Sequence, residues 1–317
     1  MLAAFVAAQD PEDPLAGLRV GERPEPDPPP GWEVIEVRAA SINRHDLWSL
    51  HGAPPGPEQL PMILGTDAAG VDREGRAVVA YPVLGDYGGR WSLPSEEHPG
   101  TLAERVALPA TALVEMPPEL SFEQAACLPT AYLTAFRMLF TCGRVGPGDR
   151  VLVQGATGGV ATAAILLARA AGASVVASSR GEGGRELAES LGAETVAPGE
   201  RLGQRVDAVI ETVGAATWEH SLGAVRSGGR IVVAGGTSGV RVPLDLERIY
   251  LRRISVVGTS MGSREEFESL LAFVVAAGIR PLIGRVDPLA AAPAAFEAMV
   301  EGTTRGKAVL TCTGERG

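Results

Sequence analysis

The sequence predicts an α/β protein, in which a doubly wound parallel sheet is joined to a second, mainly β domain. Three observations predict this architecture. The 317 residues correspond to about two domains of ordinary size. From about Ser121 onward, short apolar strands alternate with helices, as in a buried parallel sheet. The first third of the chain instead has short strands separated by loops rich in proline and glycine.

Composition and charge exclude several classes of protein. With 45% hydrophobic and 21% charged residues, the chain can bury a core, which excludes intrinsic disorder. The net charge of −10, with Arg252-Arg253 as the longest basic run, argues against nucleic acid as a partner. We identify no apolar run of the roughly 20 residues that a membrane span requires, so no membrane association is expected. The apolar segment Met1 to Ala8 has no basic flank, and we interpret it as a first strand rather than a signal peptide.

Three residue types are informative because they are rare. The cysteines, Cys127, Cys142 and Cys312, are far apart and form no Cys-x-x-Cys pair. This spacing predicts neither a disulfide framework nor a cysteine-built zinc site, and it favours a cytoplasmic, reducing location. Lys307 is the only lysine and Asn43 the only asparagine. We therefore expect both of these residues to have specific roles.

The individual elements follow from local patterns. An alternating strand at 32–37 comes after a proline-rich loop, and further strands are predicted at 78–81 and 103–108 around a loop at 84–100. Ser121 resembles an N-cap, with Glu123 in the first turn of an apolar helix that extends to Phe140. The later strands are predicted at 151–153, 174–177, 208–210, 231–234, 254–257, 283–286 and 308–311, and the later helices at 160–171, 184–191, 218–225, 264–277 and 290–301.

A glycine-rich turn lies directly between the strand at 151–153 and the helix that follows it. The exposed N–H groups of such a turn and the dipole of the helix bind pyrophosphate. With four further β/α units behind it, the turn predicts a dinucleotide site; a tight β-α turn without a ligand is the alternative. The residues that we assign to this site are Ala156, Thr157, Gly158, Gly159 and Val160.

The end of the next strand indicates which dinucleotide binds. NAD sites usually have an acidic residue there, whereas this chain has Ser178, Ser179 and Arg180. Two hydroxyls and a guanidinium suit the 2′-phosphate of NADP, so we expect NADPH as the cofactor. In the alternative interpretation, Arg180 is an ordinary solvated arginine of a loop.

The chain resembles the medium-chain dehydrogenase/reductase superfamily over essentially its whole length. The matching stretches are Ser41–Leu47 with Gly52, Leu64–Val71, Gly100–Glu104, Leu128–Ala135, Gly146–Val151, the glycine turn, Gly228–Val232 and Gly306-Lys307. Alanines at 156 and 161 replace usual glycines, and the turn is similar to that of the quinone oxidoreductase branch. The resemblance implies a Rossmann domain at 123–262 and a GroES-like catalytic domain at 1–122 and 263–317.

The resemblance raises the question of zinc. Alcohol dehydrogenases of this superfamily hold a catalytic zinc with a cysteine, a His-Glu pair and a later cysteine or acid. The matching positions here are Asn43, Thr66-Asp67 and Thr130, which lack the ligands that zinc prefers. Residues 81–100 also contain no cysteine for a structural zinc. We therefore expect no metal. The alternatives for the nearby histidines are an improvised site formed by His45, His51 and Asp67, or one partly buried and one surface histidine.

The expected chemistry follows from the missing metal. Without a Lewis acid, alcohol oxidation is difficult, whereas hydride addition to a conjugated carbon spreads the charge onto an enolate-type oxygen. The sequence thus predicts an NADPH-dependent reductase of a quinone or an α,β-unsaturated carbonyl. A zinc-type alcohol dehydrogenase and a low-turnover NADPH-binding protein with a redox-sensing or structural role are the alternatives.

The resemblance also implies roles for further residues. Asn43 donates to the developing oxyanion or holds the nicotinamide, or else it only caps the helix that begins near Arg44. Asp46 orients the Asn43 segment, and Tyr132 either relays a proton or packs. The other residues implied to contact the cofactor are Thr130, Thr134, Val213, Gly214, Gly235, Gly236, Thr237, Ser260, Met261 and Lys307. Family analogy further implies a homodimer in which the strands at 254–257 pair.

Overall fold

The computed structural model describes residues 1–312. The strands are β1 Leu2–Val6, β2 Leu18–Glu22, β3 Trp32–Ile42, β4 Met62–Ile63, β5 Asp67–Val71, β6 Ala77–Ala80, β7 Leu84–Gly85, β8 Trp91–Ser92, β9 Arg105–Pro109, β10 Leu113–Glu115, β11 Arg150–Gln154, β12 Ser174–Ser178, β13 Glu194–Val196, β14 Val206–Glu211, β15 Val225–Val233, β16 Ser255–Gly258, β17 Ile283–Pro288 and β18 Lys307–Thr311. The α-helices are α1 Arg44–His51, α2 Phe122–Ala125, α3 Leu133–Phe136, α4 Gly159–Ala170, α5 Glu182–Ser190, α6 Trp218–Ala224, α7 Leu246–Arg252, α8 Arg264–Ala276 and α9 Ala292–Glu301.

The first of two compact units is mainly β. Among the described residues, it comprises Met1–Thr130, Ser263–Val275 and 280–312. Its largest sheet has the order β10-β6-β5-β3-β18-β17, with β9 also paired to β3, and smaller sheets are formed by β2-β1-β4 and β7-β8. The long strand β3 is central to the largest sheet, because β5, β9 and β18 all pair with it.

The second unit is a doubly wound parallel sheet. It comprises Ala131–Gly262 with Ala276–Ile279. All five strand pairs are parallel, in the order β13-β12-β11-β14-β15-β16. Numbered within the unit, this is the 3-2-1-4-5-6 order of dinucleotide-binding sheets, in which ligands bind beyond the carboxyl ends of the strands. The predicted fold class is thus confirmed.

Several details differ from the predicted elements. The first unit extends to Thr130, eight residues past the expected boundary at 122, because α2 still packs against β3 and β5. Strand β13 and helix α7 were not predicted. Three residues of β13 are too few to show a period, and the apolar side chains Leu246, Tyr250 and Leu251 of α7 are exposed rather than directed to a core.

One helical segment corrects the prediction about apolar runs. The segment Phe122–Cys142 has 21 residues and is long and apolar enough to cross a membrane. Its most apolar window is 67% buried inside the protein, as in the core helices of soluble proteins, so the segment is weak evidence for a membrane span. π-Helical turns at Leu128–Tyr132 and Arg137–Cys142 interrupt its α-helical pattern.

Candidate active site

The glycine turn of the second unit has the geometry expected for a pyrophosphate site. It follows β11, and Gly155 has φ +79°, a conformation that side-chain-bearing residues rarely adopt. Helix α4 begins at Gly159 immediately after this turn. The N–H groups in the first turn of a helix have no acceptors within that helix, so the positive end of the α4 dipole is available to an anion.

Two more turns at the same edge of the sheet bring other predicted cofactor residues together. The turn after β15 bonds to the turn after β14, since the N–H of Ser238 donates to the carbonyl of Val213 at 2.8 Å and the N–H of Ala215 to the carbonyl of Gly239 at 3.1 Å. A Cβ atom added to Gly214 would lie 2.8 Å from the Cα of Gly236. The predicted residues that these turns contain are Val213, Gly214, Gly235, Gly236 and Thr237.

The residues that follow β16 contact the helical segment of the second unit. The hydroxyl of Thr134 donates to the Sδ atom of Met261 at 3.8 Å, and Nε of Arg137 donates to the hydroxyl of Thr259 at 3.0 Å. Thr134 and Met261 thus meet, and Ser260 lies exposed in the same turn. The sequence reasoning missed Arg137, because its position in an apolar helix does not show which turn it reaches.

The three residues predicted to contact a 2′-phosphate differ in their surroundings. Ser178 is buried, donates to Oε1 of Gln154 at 2.6 Å and accepts from the N–H of Gly155 at 3.2 Å. Its hydroxyl therefore supports the glycine turn, which argues against the predicted phosphate contact. Arg180 is exposed and has no hydrogen bond or ion pair with any residue in the described range. A second arginine, Arg185, lies near it and contacts the carbonyl of Ser179 at 3.5 Å.

A buried carboxylate, Glu211, anchors the turn that follows β14. Oε1 accepts from the N–H groups of Val213 at 2.8 Å and Gly214 at 2.9 Å. The hydroxyl of Thr217 lies 2.9 Å from both carboxylate oxygens, and that of Ser221 donates to Oε2 at 2.6 Å. These donors compensate for the loss of hydration of a fully buried carboxylate.

The Glu211 bonds continue to the glycine turn. The amide of Gln154 donates to the hydroxyl of Ser221 at 3.0 Å, and its oxygen accepts from Ser178. Ser178 in turn accepts from Gly155. One chain of hydrogen bonds thus connects β14, β11 and β12 beneath the predicted cofactor residues. We call it the Glu211 chain; its members are Glu211, Ser221, Gln154, Ser178 and Gly155.

The first unit contains a second buried polar network, around Asp67. The amide nitrogen of Asn43 donates to the hydroxyl of Thr66 at 3.0 Å and to Oδ2 of Asp67 at 2.9 Å. The hydroxyl of Thr130 lies 2.5 Å from Oδ1 of Asp67 and 2.9 Å from that of Thr66. The structure therefore brings together the four positions that sequence analysis matched to zinc ligands. Thr130 is the half-buried member; the other three are buried.

Lys307 completes this network with a positive charge. Lys307 as a whole is 2% exposed, and its ammonium group donates to the carbonyl of Ile42 at 3.1 Å, to Oδ1 of Asn43 and to Oδ2 of Asp67 at 3.2 Å. Three acceptors use its three N–H groups, which argues against the predicted cofactor contact of Lys307. We call the group of Asn43, Thr66, Asp67, Thr130 and Lys307 the Lys307 network.

Asn43 uses all of its side-chain polar atoms within this network. Both amide hydrogens have acceptors, in Thr66 and Asp67, and its oxygen accepts from Lys307. A direct bond from Asn43 to a substrate oxygen would require one of these bonds to break. The geometry thus favours a positioning role over the predicted donor role. Asn43 also stands at the N-cap of α1, where the carboxylate of Asp46 accepts from its backbone N–H.

Asp46 holds the segment that carries Asn43, as predicted from the sequence. Its carboxylate is fully buried and accepts from the N–H of Asn43 and the N–H of Gly65, both at 2.8 Å. Burial raises its pKa, and the positive charge of His45 and these two hydrogen bonds oppose that increase. Gly65 has φ +99°, and a Cβ atom there would lie 2.8 Å from the N atom of Leu102, so this approach requires glycine.

The π-helical turn Leu128–Tyr132 contains two predicted site residues. Thr130 reaches Asp67 from this turn, in keeping with the frequent occurrence of π-turns at functional sites. Tyr132 is completely buried. Its ring therefore contributes to the core, which favours the packing alternative over the proton relay.

The Lys307 network does not suit zinc. Its oxygen atoms come from an amide, two hydroxyls and a single carboxylate, without the thiolate or imidazole that zinc prefers. The ammonium of Lys307 already bonds to Asn43 and Asp67, so a divalent cation there would be repelled. Residues 1–312 contain no group of three or more His, Cys, Asp or Glu side chains arranged to hold a metal. The alternative metal site would consist of His45, His51 and Asp67, but His51 is exposed and contacts the carbonyl of Pro11.

Comparisons with known proteins extend these observations. The family model of zinc-binding dehydrogenases matches residues 159–276. A zinc-type alcohol dehydrogenase-like protein of Schizosaccharomyces pombe is 31% identical to this chain, and the match covers 89% of this chain and 91% of that protein. The quinone oxidoreductase of Mus musculus is 30% identical, with coverage of 87% and 88%. The crystal structure of an NAD-dependent alcohol dehydrogenase superposes with a TM-score of 0.90 at 34% identity, and covers 99% of this chain and 100% of that one.

Proposed function

The chain belongs to the medium-chain dehydrogenase/reductase superfamily and is an NAD(P)H-dependent oxidoreductase, and from this premise we propose that it reduces a quinone or an α,β-unsaturated carbonyl with NADPH and without zinc. The substrate is a small molecule with a conjugated carbonyl. We assign the cofactor to the glycine turn and the two turns beside it, and the contact with the substrate oxygen to the Lys307 network. One of its relatives is a quinone oxidoreductase, which supports this class of substrate.

The Lys307 network is the observation that carries the proposal. It holds a buried cation but no soft metal ligand, and this suits a reaction in which only a modest charge remains on oxygen, as when hydride adds to a conjugated carbon. A buried ammonium stabilises nearby negative charge without the ligand geometry that a metal demands. Thr130 is the half-buried hydroxyl of the network, so we assign it the contact with the substrate oxygen. Its single hydroxyl hydrogen is donated to Oδ1 of Asp67 at 2.5 Å, so this contact requires that bond to break, while Asn43 and Lys307 hold Thr66 and Asp67 in place.

A panel of substrates tests the reaction class. The purified protein with NADPH is given quinones, α,β-unsaturated ketones, saturated aldehydes and primary alcohols, and oxidation or reduction of the nicotinamide is followed at 340 nm. We expect turnover with the conjugated carbonyls or quinones. Oxidation of simple alcohols without reduction of any conjugated carbonyl would contradict the proposal in favour of an alcohol dehydrogenase. Binding of NADPH without turnover of any substrate would favour a redox-sensing or structural protein.

Arg180 is expected to set the preference for NADPH. Removing a charge-assisted contact to the 2′-phosphate in Arg180→Ala should weaken NADPH binding by about 10- to 150-fold, or about 1.5–3 kcal/mol, and leave NADH binding unchanged. Fluorescence titration with both cofactors measures the two Kd values. Arg226→Ala is the matched control, because Arg226 pairs with Asp207 near the start of β14, away from the carboxyl ends of the strands. Equal affinity of the wild type for NADPH and NADH would contradict this assignment.

Full activity without zinc is the next expectation. The purified, dialysed protein should contain much less than one zinc per chain by elemental analysis, since the Lys307 network offers no soft ligand. Treatment with a chelator should leave NADPH oxidation unchanged. Stoichiometric zinc that is lost together with activity would show that the metal is required.

We also propose that two chains pair through β16. This strand ends the parallel sheet and therefore has an unpaired edge, with Val256 42% exposed. Pairing of two such edges across a two-fold axis would cover it. Sedimentation velocity reports the mass directly, and a monomer at micromolar concentration would contradict the proposal.

A further inference from the structure

His45 and Glu96 form a sequestered pair that the proposed reaction does not yet use. His45 is the second residue of α1, and its Nε2 atom lies 3.0 Å from Oε1 of Glu96. The side chains are 15% and 21% exposed. The other carboxylate oxygen of Glu96 accepts from the N–H of Leu93 at 2.7 Å, which fixes the carboxylate in the loop. Since Glu96 accepts the bond, Nε2 carries the hydrogen and Nδ1 is the atom that gains or loses a proton.

The loop that carries Glu96 is held in an unusual conformation. Ser95, the preceding residue, is fully buried with φ +73°. Its N–H donates to the carbonyl of His98 at 2.8 Å. A residue other than glycine in this region is strained, and such strain concentrates at functional sites. The strained turn places the Glu96 carboxylate against His45.

The second ring nitrogen of His45 has no partner. Nδ1 is buried and makes no hydrogen bond to any residue in the described part of the chain, 1–312. Buried polar atoms are almost always paired, so an orphaned one indicates a missing ligand atom. Nδ1 belongs to the helix that follows Asn43 directly, in the same unit as the Lys307 network.

We propose that His45 is the proton donor of the reduction, that its Nδ1–H binds the oxygen of the conjugated carbonyl, and that Glu96 positions and charges the ring. This inference rests on the proposed function, because it names the acid for that reaction. It adds a catalytic residue that the sequence reasoning had considered only as a metal ligand or as a structural histidine.

The proton and electron balance of this step is complete. Bound NADPH would supply the hydride, so that its C4–H bond would break and a new C–H bond would form at the β-carbon. The π electrons of the C=C bond move toward the carbonyl oxygen, which accepts the proton of Nδ1 as an enol. The enol rearranges to the saturated carbonyl compound, and the neutral imidazole takes one proton from solvent. The sum is NADPH, one proton and the enone giving NADP⁺ and the saturated product.

The charges around His45 favour its protonated form. Burial lowers the pKa of His45, but the hydrogen bond to Glu96 and the negative charges of Asp46, Glu96 and Asp67 raise it, and their combined effect places it above the usual value. Other charged or titratable groups on these segments include Arg44 and His51 in α1, Glu97 beside Glu96 in the loop, and Lys307 in β18, which bonds to Asp67. A raised pKa favours the protonated form of the ring, which is the form that can donate.

The pH dependence of kcat tests the proposal. With saturating NADPH and the best conjugated substrate, the wild type should lose activity with rising pH along a single alkaline limb. His45→Gln should lower kcat about 10²-fold or more and abolish that limb, as expected for the loss of a general acid. Glu96→Gln keeps the shape but removes the charge, so its limb should move to lower pH. His51→Gln is the matched control, since His51 is exposed and outside the pair.

Each outcome decides the question. An unchanged kcat and pH profile in His45→Gln would overturn the inference while leaving the proposed function intact, whereas a wild type that reduces no conjugated carbonyl or quinone would remove both. If His45→Gln does not fold, Glu96→Gln and the wild-type histidine NMR signals carry the test. In the NADPH complex, the His45 signal should titrate above the usual histidine pKa and shift when an unreactive carbonyl analogue binds. A His45 signal that is insensitive to the analogue would overturn the inference.

Discussion

Replacing Lys307 with methionine is expected to lower the free energy of unfolding by about 3–5 kcal/mol, because removal of one partner leaves the other buried charge uncompensated. Asp67 is fully buried, and Lys307 is its cationic partner at 3.2 Å. The carbonyl of Ile42 and the oxygen of Asn43 would lose a donor as well. Urea unfolding followed by circular dichroism measures the change.

A second variant separates charge from packing in this prediction. Adding Asp67→Asn to Lys307→Met removes both charges, so the double variant should recover part of the lost stability, with a coupling energy of about 0.5–3 kcal/mol as is usual for contacting residues. Lys307→Arg retains the charge and should lie between the wild type and the methionine variant. A Lys307→Met variant as stable as the wild type would show that the network does not depend on its cation.

Replacing Glu211 with leucine is expected to destabilise the second unit by about 3–5 kcal/mol and to weaken NADPH binding. The side chains are similar in size, but four buried or half-buried donors lose their acceptor, and each unsatisfied buried donor costs about 1–3 kcal/mol. Two of them are the N–H groups of Val213 and Gly214, in a turn predicted to contact the cofactor. Without the carboxylate, the hydroxyl of Ser221 would also lose its acceptor, and Ser221 would no longer be held in position to accept from Gln154.

Thermal unfolding and NADPH titration measure both effects of the Glu211 substitution. Glu219→Leu is the matched control in the same unit, because Glu219 is exposed and pairs only at the surface with Arg248. Its loss should change stability by no more than about 1 kcal/mol. Equal effects of the two substitutions would contradict the anchoring role of Glu211. Unaltered NADPH binding in Glu211→Leu would show that the turn holds its shape without the carboxylate.

The arrangement of the turns that we propose to bind the cofactor was largely predictable from the sequence. A strand, a glycine turn and a helix are encoded by neighbouring residues, and parallel strands necessarily place their carboxyl ends at one edge. Hence Val213, Gly236 and Met261 could be assigned to that edge before their contacts were known. Ser178 shows the limit of this reasoning: its position after β12 was clear, but only the fold directs its hydroxyl to Gln154 and Gly155.

By itself, the sequence determined the two kinds of domain and the order of most strands and helices, and its family resemblance implied the positions that a metal would have used. Only the tertiary structure decided what occupies those positions. Lys307 meets Asp67 across 240 residues of chain, and His45 meets Glu96 across 51. The physical reason is that helix and strand patterns depend on residues a few positions apart, whereas a buried polar group takes whichever distant partner the packed chain brings within hydrogen-bond distance.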